Sequence, residues 1–365
     1  MIDLDEQNRI IEIDKSNQLE ILEKWSSLFK EARENSLKFV IPENVSEPSN
    51  IVICGMGGSA IAGDYLISLL KSEIKIPVLV NRDYYLPSFC NKSTLVICVS
   101  YSGNTEETLS CFKDAHTKNT MMITISSGGL LEKLSKKTNV PHIKIREGIP
   151  PRTGLPLIYT SLLTILEKLK LIEDMSKDFE ETEKILTELS TKYSPDKKTE
   201  VNFAKEIAYG LYNKLPLFVG HTIYSPLPYR AKSELNENSK VVAISEVVPE
   251  QNHNGIVAWD NPNVVLNNVA VILFRDKNEP KPIGIRMEQL KEIVKQKTEK
   301  VLELYPQGES KLAKQISLTY LIDLTSIYLA VLYGVDPSIT PSIDNLKRVL
   351  KKKLNLQDTI EKELV

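Results

Sequence analysis

Three hydroxyl side chains follow a buried run of apolar residues in the stretch SYSGNTEE. Ser100, Ser102 and Thr105 come at or just after the run TLVICVS (94–100), and Gly103 lies among them. The run predicts a strand, and the residues after it predict the start of a helix. Hydroxyls and free backbone N–H groups at a helix N-terminus form a compact anion site. We expect these side chains to bind a phosphate monoester, with a simple helix cap as the alternative.

A glycine-rich stretch earlier in the chain is compatible with two kinds of ligand. The apolar run NIVIC leads into GMGGSA, where Gly57, Gly58 and Ser59 open a predicted helix. This pattern is close to the loop that holds the pyrophosphate of a dinucleotide. A dinucleotide also needs an acidic residue at the end of the second strand; Asp83 comes about three residues late, and Arg82 would suit a phosphorylated ribose. The residues alone leave both readings open.

Candidate proton-transfer groups lie in the second half of the chain. The glutamates in and after ELNENSK are Glu234, Glu237, Glu246 and Glu250. A positioned carboxylate can move a proton between carbons, although Glu-rich polar helix ends are usually solvated. His253 in PEQNHNG and His221 in FVGH are the histidines that could transfer protons near neutral pH.

A metal centre is not expected. Glu250 and His253 have the Glu-x-x-His spacing of some metal motifs, but the four histidines of the chain are scattered and no second such pair occurs. The four cysteines lack Cys-x-x-Cys spacing, which favours a reducing, cytoplasmic compartment. We expect no metal and no cofactor.

Arg152 in PPRTG is a candidate for stabilising negative charge. It begins a predicted helical stretch, where a cation is unusual unless it serves a nearby anion. Such a cation would stabilise charge that develops during a reaction. An exposed surface charge is the alternative.

The elements that would position these residues form two similar series. Predicted strands at 50–54, 76–80, 94–100, 120–126 and 141–145 alternate with helices near 59–72, 103–117 and 129–138. The second series has predicted strands at 215–220, 240–247 and 268–274 and helices near 284–300, 310–333 and 341–353. Buried Val/Ile/Leu runs between helices are typical of parallel sheets. We expect an α/β fold with two subdomains, each a mostly parallel sheet between layers of helices.

Boundaries between these parts can be predicted as well. Helical periodicity before the first strand and a long helical stretch over about 153–193 separate the two series, followed by the polar, proline-containing LSTKYSPDKKTEVN. The predicted parts are an N-terminal helical segment (1–38), a first subdomain (39–172), a helical connector (173–200) and a second subdomain with C-terminal helices (201–365).

Composition argues against two classes of partner. The 365 residues include 46 Lys and Arg against 48 Asp and Glu, a formal charge of −2, without a long basic stretch. We therefore expect no nucleic-acid partner. The acidic start lacks the basic flank and apolar core of a signal peptide, and no uninterrupted apolar run reaches the roughly 18 residues of a membrane helix. We expect no membrane partner either.

Several stretches taken together resemble a known family. Besides GMGGSA and SYSGNTEE, these are PPRTGLP (150–156), KSELNENSK (232–240), PEQNHN (249–254) and DPSITPSIDNLKRVL (336–350). In this order they resemble the bifunctional phosphoglucose/phosphomannose isomerases of the sugar-isomerase (SIS) superfamily, from about residue 35 onward. The resemblance implies two SIS subdomains and isomerisation of glucose 6-phosphate, and of mannose 6-phosphate, to fructose 6-phosphate.

The resemblance also implies roles for individual residues. Ser100, Ser102 and Thr105 would grip the phosphate, and Gly57, Gly58 and Ser59 would lie near the sugar hydroxyls. Glu237 would be the base, and His253 would open the sugar ring from the neighbouring subunit of a homodimer.

Two further roles fall on the C-terminal stretch. Lys347 would lie near O5 or C1 of the sugar, and Thr340 would allow both configurations at C2. Ser338 is close enough to be an alternative to Thr340.

Three other functions remain possible at this point. Another SIS enzyme would act on an aminosugar phosphate. A non-catalytic sugar-phosphate sensor would keep the hydroxyl loop but would not need Glu237 or His253. A dinucleotide-dependent oxidoreductase would use the glycine loop.

Overall fold

Two parallel sheets with flanking helices make up the fold, as the sequence predicts. The structure, a computed structural model, describes residues 2–261 and 265–364. The strands are β1 (Asn50–Cys54), β2 (Val78–Asn81), β3 (Thr94–Val99), β4 (Met121–Ser126), β5 (His142–Lys144), β6 (Leu215–His221), β7 (Ile244–Val248), β8 (Val269–Phe274) and β9 (Lys300–Leu304). The helices are α1 (Gln7–Ile13), α2 (Gln18–Glu23), α3 (Trp25–Lys38), α4 (Gly57–Leu70), α5 (Glu106–Thr117), α6 (Gly129–Lys137), α7 (Leu155–Lys168), α8 (Ser176–Lys192), α9 (Phe203–Leu211), α10 (Leu227–Glu234), α11 (Lys281–Lys295), α12 (Lys311–Tyr333), α13 (Pro341–Lys353) and α14 (Leu356–Leu364).

The first sheet has the strand order β2-β1-β3-β4-β5, and every pair is parallel. All six residues of β3 are buried, which is why its sequence TLVICV reads as an unbroken apolar run. The chain places β2 on one side of β1 and β3 on the other. Ligands of open α/β sheets bind at such a switch point, beyond the carboxyl ends of the strands.

The second sheet has the order β7-β6-β8-β9 and is also parallel. Its central strand β8, VAVILF, is buried throughout. The switch point of this sheet lies between β6 and β8. The fourth strand, β9, was not among the predicted strands: its first four residues, KVLE, are only half-buried at the sheet edge, and the predicted helix 284–300 ends where β9 begins.

The chain divides into two compact units, each containing one sheet. The first-sheet unit comprises Ser27–Ser176 and Thr340–Val365, and the second-sheet unit comprises Met1–Ser26 and Lys177–Ile339. Residues 340–365, which the sequence analysis placed with the second subdomain, thus belong to the unit of the first sheet. The predicted long helical stretch over 153–193 is two helices, α7 and α8, one in each unit.

Helix α14 explains why the C-terminal residues belong to the first-sheet unit. Ile360, which is 1% exposed, belongs to the core cluster that contains Leu109 of α5 and Leu131 of α6. Ion pairs join Lys113 to Glu363 and Lys133 to Glu361. The amphipathic sequence LQDTIEKEL therefore packs one face against α5 and α6.

Helix α12 is a long, apolar helix in the interior of the second-sheet unit. Lys311–Tyr333 is long and apolar enough to cross a membrane by length and composition, and 94% of its most apolar window is buried inside the protein. It contacts α9 and α10 within the second-sheet unit.

Candidate active site

The predicted phosphate loop lies at the switch point of the first sheet. Ser100 ends the run of β3 and is 1% exposed, and its Oγ lies 2.8 Å from Oγ1 of Thr105. Thr105 immediately precedes α5, and its side chain does not cap that helix. The Ser102 hydroxyl accepts a hydrogen bond from the backbone N–H of Asn104 at 3.2 Å. The loop thus folds its hydroxyls around the N-terminus of α5, an arrangement suited to an anion.

Gly103 is required by the shape of this loop. Its φ of +69° is left-handed, and a Cβ at this position would lie 1.8 Å from the carbonyl oxygen of Gly128. No side chain can be accommodated against backbone at that distance. The close approach locks the loop onto the turn that precedes α6.

Further hydrogen bonds fix the loop to that turn. The N–H of Leu131 donates to the carbonyl of Gly103 at 2.9 Å, and the N–H of Leu130 donates to Oδ1 of Asn104 at 3.0 Å. The Ser127 hydroxyl donates to the carbonyl of Tyr101 at 2.7 Å. The predicted phosphate loop is therefore fixed by contacts within the protein, and a loop fixed in this way loses less entropy when it binds a ligand.

The glycine loop after β1 approaches the same edge of the sheet. Ser59 Oγ accepts a hydrogen bond from the N–H of Tyr101 at 3.2 Å, so the two loops are in direct contact. A Cβ on Gly58 would lie 3.3 Å from the carbonyl oxygen of Pro151 and 3.5 Å from Cα of Arg152. Arg152, 7% exposed, lies in a 3₁₀ turn before α7. The first-sheet unit thus brings together Gly58, Ser59, the hydroxyl loop and Arg152.

The geometry at the end of β2 does not favour a dinucleotide. Arg82 forms an ion pair with Asp64 of α4, and the Asp83 carboxylate accepts a hydrogen bond from the N–H of Tyr84 at 2.6 Å. Arg82 is therefore engaged within the protein, whereas Asp83 is exposed and accepts one local hydrogen bond.

Two carboxylates share the first turn of α5 with the hydroxyl loop. These are Glu106 and Glu107. Burial, together with the nearby Glu107, raises the pKa of Glu106 above its usual value. The negative charge of these carboxylates interacts favourably with the dipole of α5 but repels a bound anion. The hydroxyls and N–H groups of the loop must therefore supply the attraction for a phosphate.

In the second-sheet unit, Glu237 lies in a single π-helical turn. The turn spans Leu235–Ser239 and follows α10 directly. Turns of this kind inside or at the end of a helix are frequent at functional sites. The Glu237 side chain is half-buried, whereas Asn238 and Ser239 are 1% and 2% exposed.

The other glutamates have different surroundings. Glu234 is 4% exposed and is paired with Arg230 at 2.9 Å, while Glu250 is exposed and accepts a hydrogen bond from Asn254. Glu246 lies on the half-buried part of β7. Because Glu234 is committed to a buried ion pair, it is a poor candidate for a base that meets a substrate.

The two candidate histidines differ in exposure. His253 is exposed and follows the 3₁₀ turn Glu250–Asn252 after β7. His221 is fully buried; its Nδ1 lies 2.9 Å from the Thr222 hydroxyl and its Nε2 lies 3.2 Å from Glu279. Burial lowers the pKa of His221, against the opposing effect of Glu279. His221 is therefore part of the protein interior.

Charged side chains at the switch point of the second sheet pair with one another. Arg275, directly after β8, pairs with Glu279 at 2.6 Å and with Glu303, and Asp276 accepts a hydrogen bond from the Tyr224 hydroxyl at 2.5 Å. Where the first sheet carries hydroxyls and glycines, this sheet carries carboxylates.

The remaining predicted residues lie near the unit boundary. The Ser338 hydroxyl donates to Oδ1 of Asp336 at 2.5 Å, whereas Thr340 is the half-buried residue before α13 and does not cap it. Lys347 is exposed on α13, a helix without a buried residue. The structure places Thr340 and Lys347 in the first-sheet unit, and Ser338, Glu237 and His253 in the second-sheet unit.

No group of three or more His, Cys, Asp or Glu side chains within residues 2–261 and 265–364 is arranged to hold a metal ion. The four cysteines are buried and unbridged.

One residue of KSELNENSK that sequence reasoning did not single out is prominent in the structure. Lys240, the last letter of that stretch, has a left-handed backbone with φ of +59° and donates through Nζ to the carbonyl of Glu237 at 2.7 Å. Its position at the end of a π turn carries no signal in composition or periodicity.

Comparisons with known proteins identify the family of the chain. Residues 200–350 match the family described as "Bacterial phospho-glucose isomerase C-terminal SIS domain". A bifunctional phosphoglucose/phosphomannose isomerase of Caldicellulosiruptor bescii is 41% identical over 82% of this chain and 89% of its own length. One of Aquifex aeolicus with the same name is 32% identical over 86% of this chain and 93% of its own.

Two further matches are a relative with a different name and a solved structure. A D-glucosamine-6-phosphate 4-epimerase of Sulfolobus acidocaldarius is 30% identical over 66% of this chain and 72% of its own length. The solved structure of a hypothetical protein of Thermus thermophilus superposes with a TM-score of 0.73 over 95% of this chain and 93% of its own, at 14% identity. That likeness confirms the fold alone. Identity over most of both chains shows that this chain belongs to the family of bifunctional phosphoglucose/phosphomannose isomerases.

Proposed function

We propose that this protein is an aldose–ketose isomerase that interconverts glucose 6-phosphate, and mannose 6-phosphate, with fructose 6-phosphate. The observation that carries the proposal is the hydroxyl loop at the switch point of the first sheet, where Ser100 Oγ and Thr105 Oγ1 lie 2.8 Å apart beside the start of α5. Membership of the isomerase family supports the choice of a hexose 6-phosphate as the ligand.

The phosphate of the substrate is bound by Ser100, Ser102 and Thr105 together with the first N–H groups of α5. Gly57, which has a φ of +49°, Gly58 and Ser59 face the sugar hydroxyls. A Cβ on Gly57 would meet no atom within 4 Å, which leaves open space above this turn.

Glu237 is the base of the isomerisation. In the open-chain aldose it removes the proton from C2, the C1–C2 double bond forms, and the electrons of the C1 carbonyl move to O1. The enediolate then gains the same proton at C1, and a proton passes from O2 to O1, which leaves a carbonyl at C2. Arg152 stabilises the negative charge of this intermediate. Lys347 acts near O5 or C1.

His253 opens the sugar ring, and it acts on the substrate of a second copy of the chain in a homodimer. Two observations support a second copy. His253 is exposed, and the apolar side chains of α13 are exposed as well: Ile343 is 39%, Leu346 57% and Val349 40% exposed. An exposed apolar stripe of this kind is typical of an interface.

Thr340 is the residue that allows both configurations at C2. The Ser338 hydroxyl is engaged by Asp336 at 2.5 Å, which favours Thr340 over Ser338. The reaction needs no metal and no cofactor, because proton transfers and charge stabilisation suffice. The near-neutral charge of −2 and the unbridged cysteines support a cytoplasmic enzyme without a nucleic-acid or membrane partner.

A coupled assay with fructose 6-phosphate, glucose 6-phosphate and mannose 6-phosphate tests the function directly. In the same assay Glu237→Gln should lower kcat by about 10²- to 10⁴-fold, the usual contribution of a positioned base. Glu246→Gln, on β7, is the matched control and should keep most of the activity. If none of the three sugar phosphates were isomerised, the proposed function would be refuted. If Glu237→Gln were active, Glu237 would not be the base.

A second candidate is the conversion of an aminosugar phosphate. The relative named D-glucosamine-6-phosphate 4-epimerase favours it, at 30% identity. Incubation with glucosamine 6-phosphate, followed by chromatography of the products, separates the two candidates: a new aminosugar phosphate without turnover of fructose 6-phosphate would favour the second.

A further inference from the structure

The π turn that carries Glu237 is fixed from the inside by a buried polar network. Arg230 of α10 pairs with Asp323 of α12 at 2.6 Å and with Glu234 at 2.9 Å, and these three side chains are at most 4% exposed. The amide of Asn238 donates to Glu234 at 3.0 Å and to the hydroxyl of Ser326 at 2.8 Å. Several hydrogen bonds thus hold these buried side chains in one arrangement, and of the Asn238 amide the Nδ2 group is paired while the Oδ1 atom has no hydrogen-bond partner.

The outer side of the same turn is held by Lys240. Its Nζ donates to the carbonyl oxygens of Glu237 at 2.7 Å, Asn238 at 3.2 Å and Asp336 at 3.0 Å. A lysine ammonium has three N–H donors, and here each can meet one carbonyl. Two of these carbonyls belong to the end of a helix, where oxygens lack partners inside the helix and a cation is favourable.

The backbone of Lys240 has a conformation that lysine rarely adopts. Its φ of +59° and ψ of 29° are left-handed, and its N–H donates to the carbonyl of Leu235. Glycine takes this conformation without a steric cost.

From these contacts we infer that Lys240 is a positioning residue for Glu237. Its ammonium joins the turn that bears the base to the segment around Asp336, which follows α12. Its Nζ donates to the backbone carbonyl of Glu237, so the lysine fixes the backbone from which the carboxylate extends. This inference rests on the proposed function, because it takes Glu237 as the base.

The test replaces Lys240 by glycine, which keeps the left-handed turn and removes the ammonium. Lys240→Gly should remain folded at the assay temperature, as followed by circular dichroism, because glycine suits the left-handed backbone and offsets part of the loss of the ammonium's three hydrogen bonds. Its kcat for fructose 6-phosphate should fall about 10- to 100-fold, the scale expected for a base displaced by about 1 Å. KM should stay within about twofold, because the phosphate-binding hydroxyls lie in the first-sheet unit.

Two further variants separate the ammonium from other effects of the substitution. Lys240→Met keeps an unbranched apolar stem and should lose kcat as Lys240→Gly does, which excludes added backbone freedom as the cause. Lys170→Gly is the matched control, since Lys170 is also an exposed lysine with a left-handed φ, +58°, after helix α7. It should leave kcat and KM unchanged.

Some outcomes would overturn the inference. If Lys240→Gly matched Lys170→Gly in kcat, or if its KM rose while kcat stayed the same, Lys240 would not position the base. Glu237→Gln, assayed in parallel, keeps the two proposals apart. An active Glu237→Gln enzyme would refute the base itself, whereas an inactive one beside a fully active Lys240→Gly would refute only the role of Lys240.

Discussion

At the scale of single residues, the contact between Ser100 Oγ and Thr105 Oγ1 leads to a prediction about affinity. Thr105→Val removes the hydroxyl that lies 2.8 Å from Ser100 and keeps the shape of the side chain. A hydrogen bond to a charged group contributes about 1.5–3 kcal/mol, so KM for fructose 6-phosphate should rise about 10- to 100-fold with a smaller change in kcat.

Thr117→Val is the control for this measurement. Thr117 is exposed at the other end of α5 and donates to the carbonyl of Lys113 at 3.0 Å. If Thr105→Val bound the substrate as tightly as Thr117→Val, the hydroxyl loop would not be the phosphate site.

A second residue, His142, leads to a prediction about pH. Burial lowers the pKa of His142 to about 4, and Nδ1 lies 2.8 Å from the Thr124 hydroxyl. The ordinary pKa of histidine is about 6.5, so His142 binds a proton more readily in the unfolded chain than in the folded protein. The stabilisation that depends on neutral His142 is therefore fully present above about pH 6.5 and is lost as the pH falls towards 4.

Urea unfolding at several pH values measures this effect. The unfolding free energy should decrease below pH 6.5 by up to about 1.4 kcal/mol per pH unit from this group. His142→Gln should flatten that part of the profile, whereas His116→Gln, exposed on α5, should not. Parallel profiles for all three proteins would contradict the assignment.

The residues of the candidate site differ in how far the sequence could predict them. Ser100, Ser102 and Thr105 are visible because hydroxyls cluster directly after an apolar strand, and the structure places them at a switch point. Lys240 could not be found in this way. Its contacts depend on a π turn and a left-handed backbone, and neither leaves a periodic pattern in the sequence.

At the scale of elements, the docking of α14 leads to a prediction about stability. Ile360→Ala removes a side chain that is 1% exposed in the core cluster of the first-sheet unit. Truncation of a buried isoleucine costs about 2 to 5 kcal/mol, and the urea midpoint followed by circular dichroism should fall accordingly. Leu354→Ala, at a residue that is 57% exposed, should shift it little. Equal midpoints for the two variants would mean that α14 does not stabilise this unit.

The elements also show where sequence patterns stop being informative. The strands β1, β3, β6 and β8 could be predicted because they are buried and apolar. Strand β9 could not, because KVLEL mixes charged and apolar residues at a half-buried edge. The break between α7 and α8 contains neither Gly nor Pro, so the helical periodicity of the sequence predicted one long helix there.

At the scale of the whole molecule, the proposed exchange of His253 between two copies can be measured by mixing. Glu237→Gln and His253→Ala are each expected to be inactive as homodimers on glucose 6-phosphate. If His253 serves the partner, a mixed dimer has one site with both changes and one with neither, and activity returns when subunits exchange. If no activity returned although subunit exchange was demonstrated, both residues would act in the site of one chain.

The division of the first-sheet unit over two stretches of chain has a consequence for protein synthesis. A ribosome finishes residues 27–176 long before it reaches α14, yet Ile360 belongs to the same core cluster as Leu109 and Leu131. Until the last helix emerges, the faces of α5 and α6 that it covers remain open to water. Exposed apolar surface on a nascent chain promotes aggregation and recruits chaperones. The second-sheet unit, which needs nothing beyond Ile339, can complete its packing first.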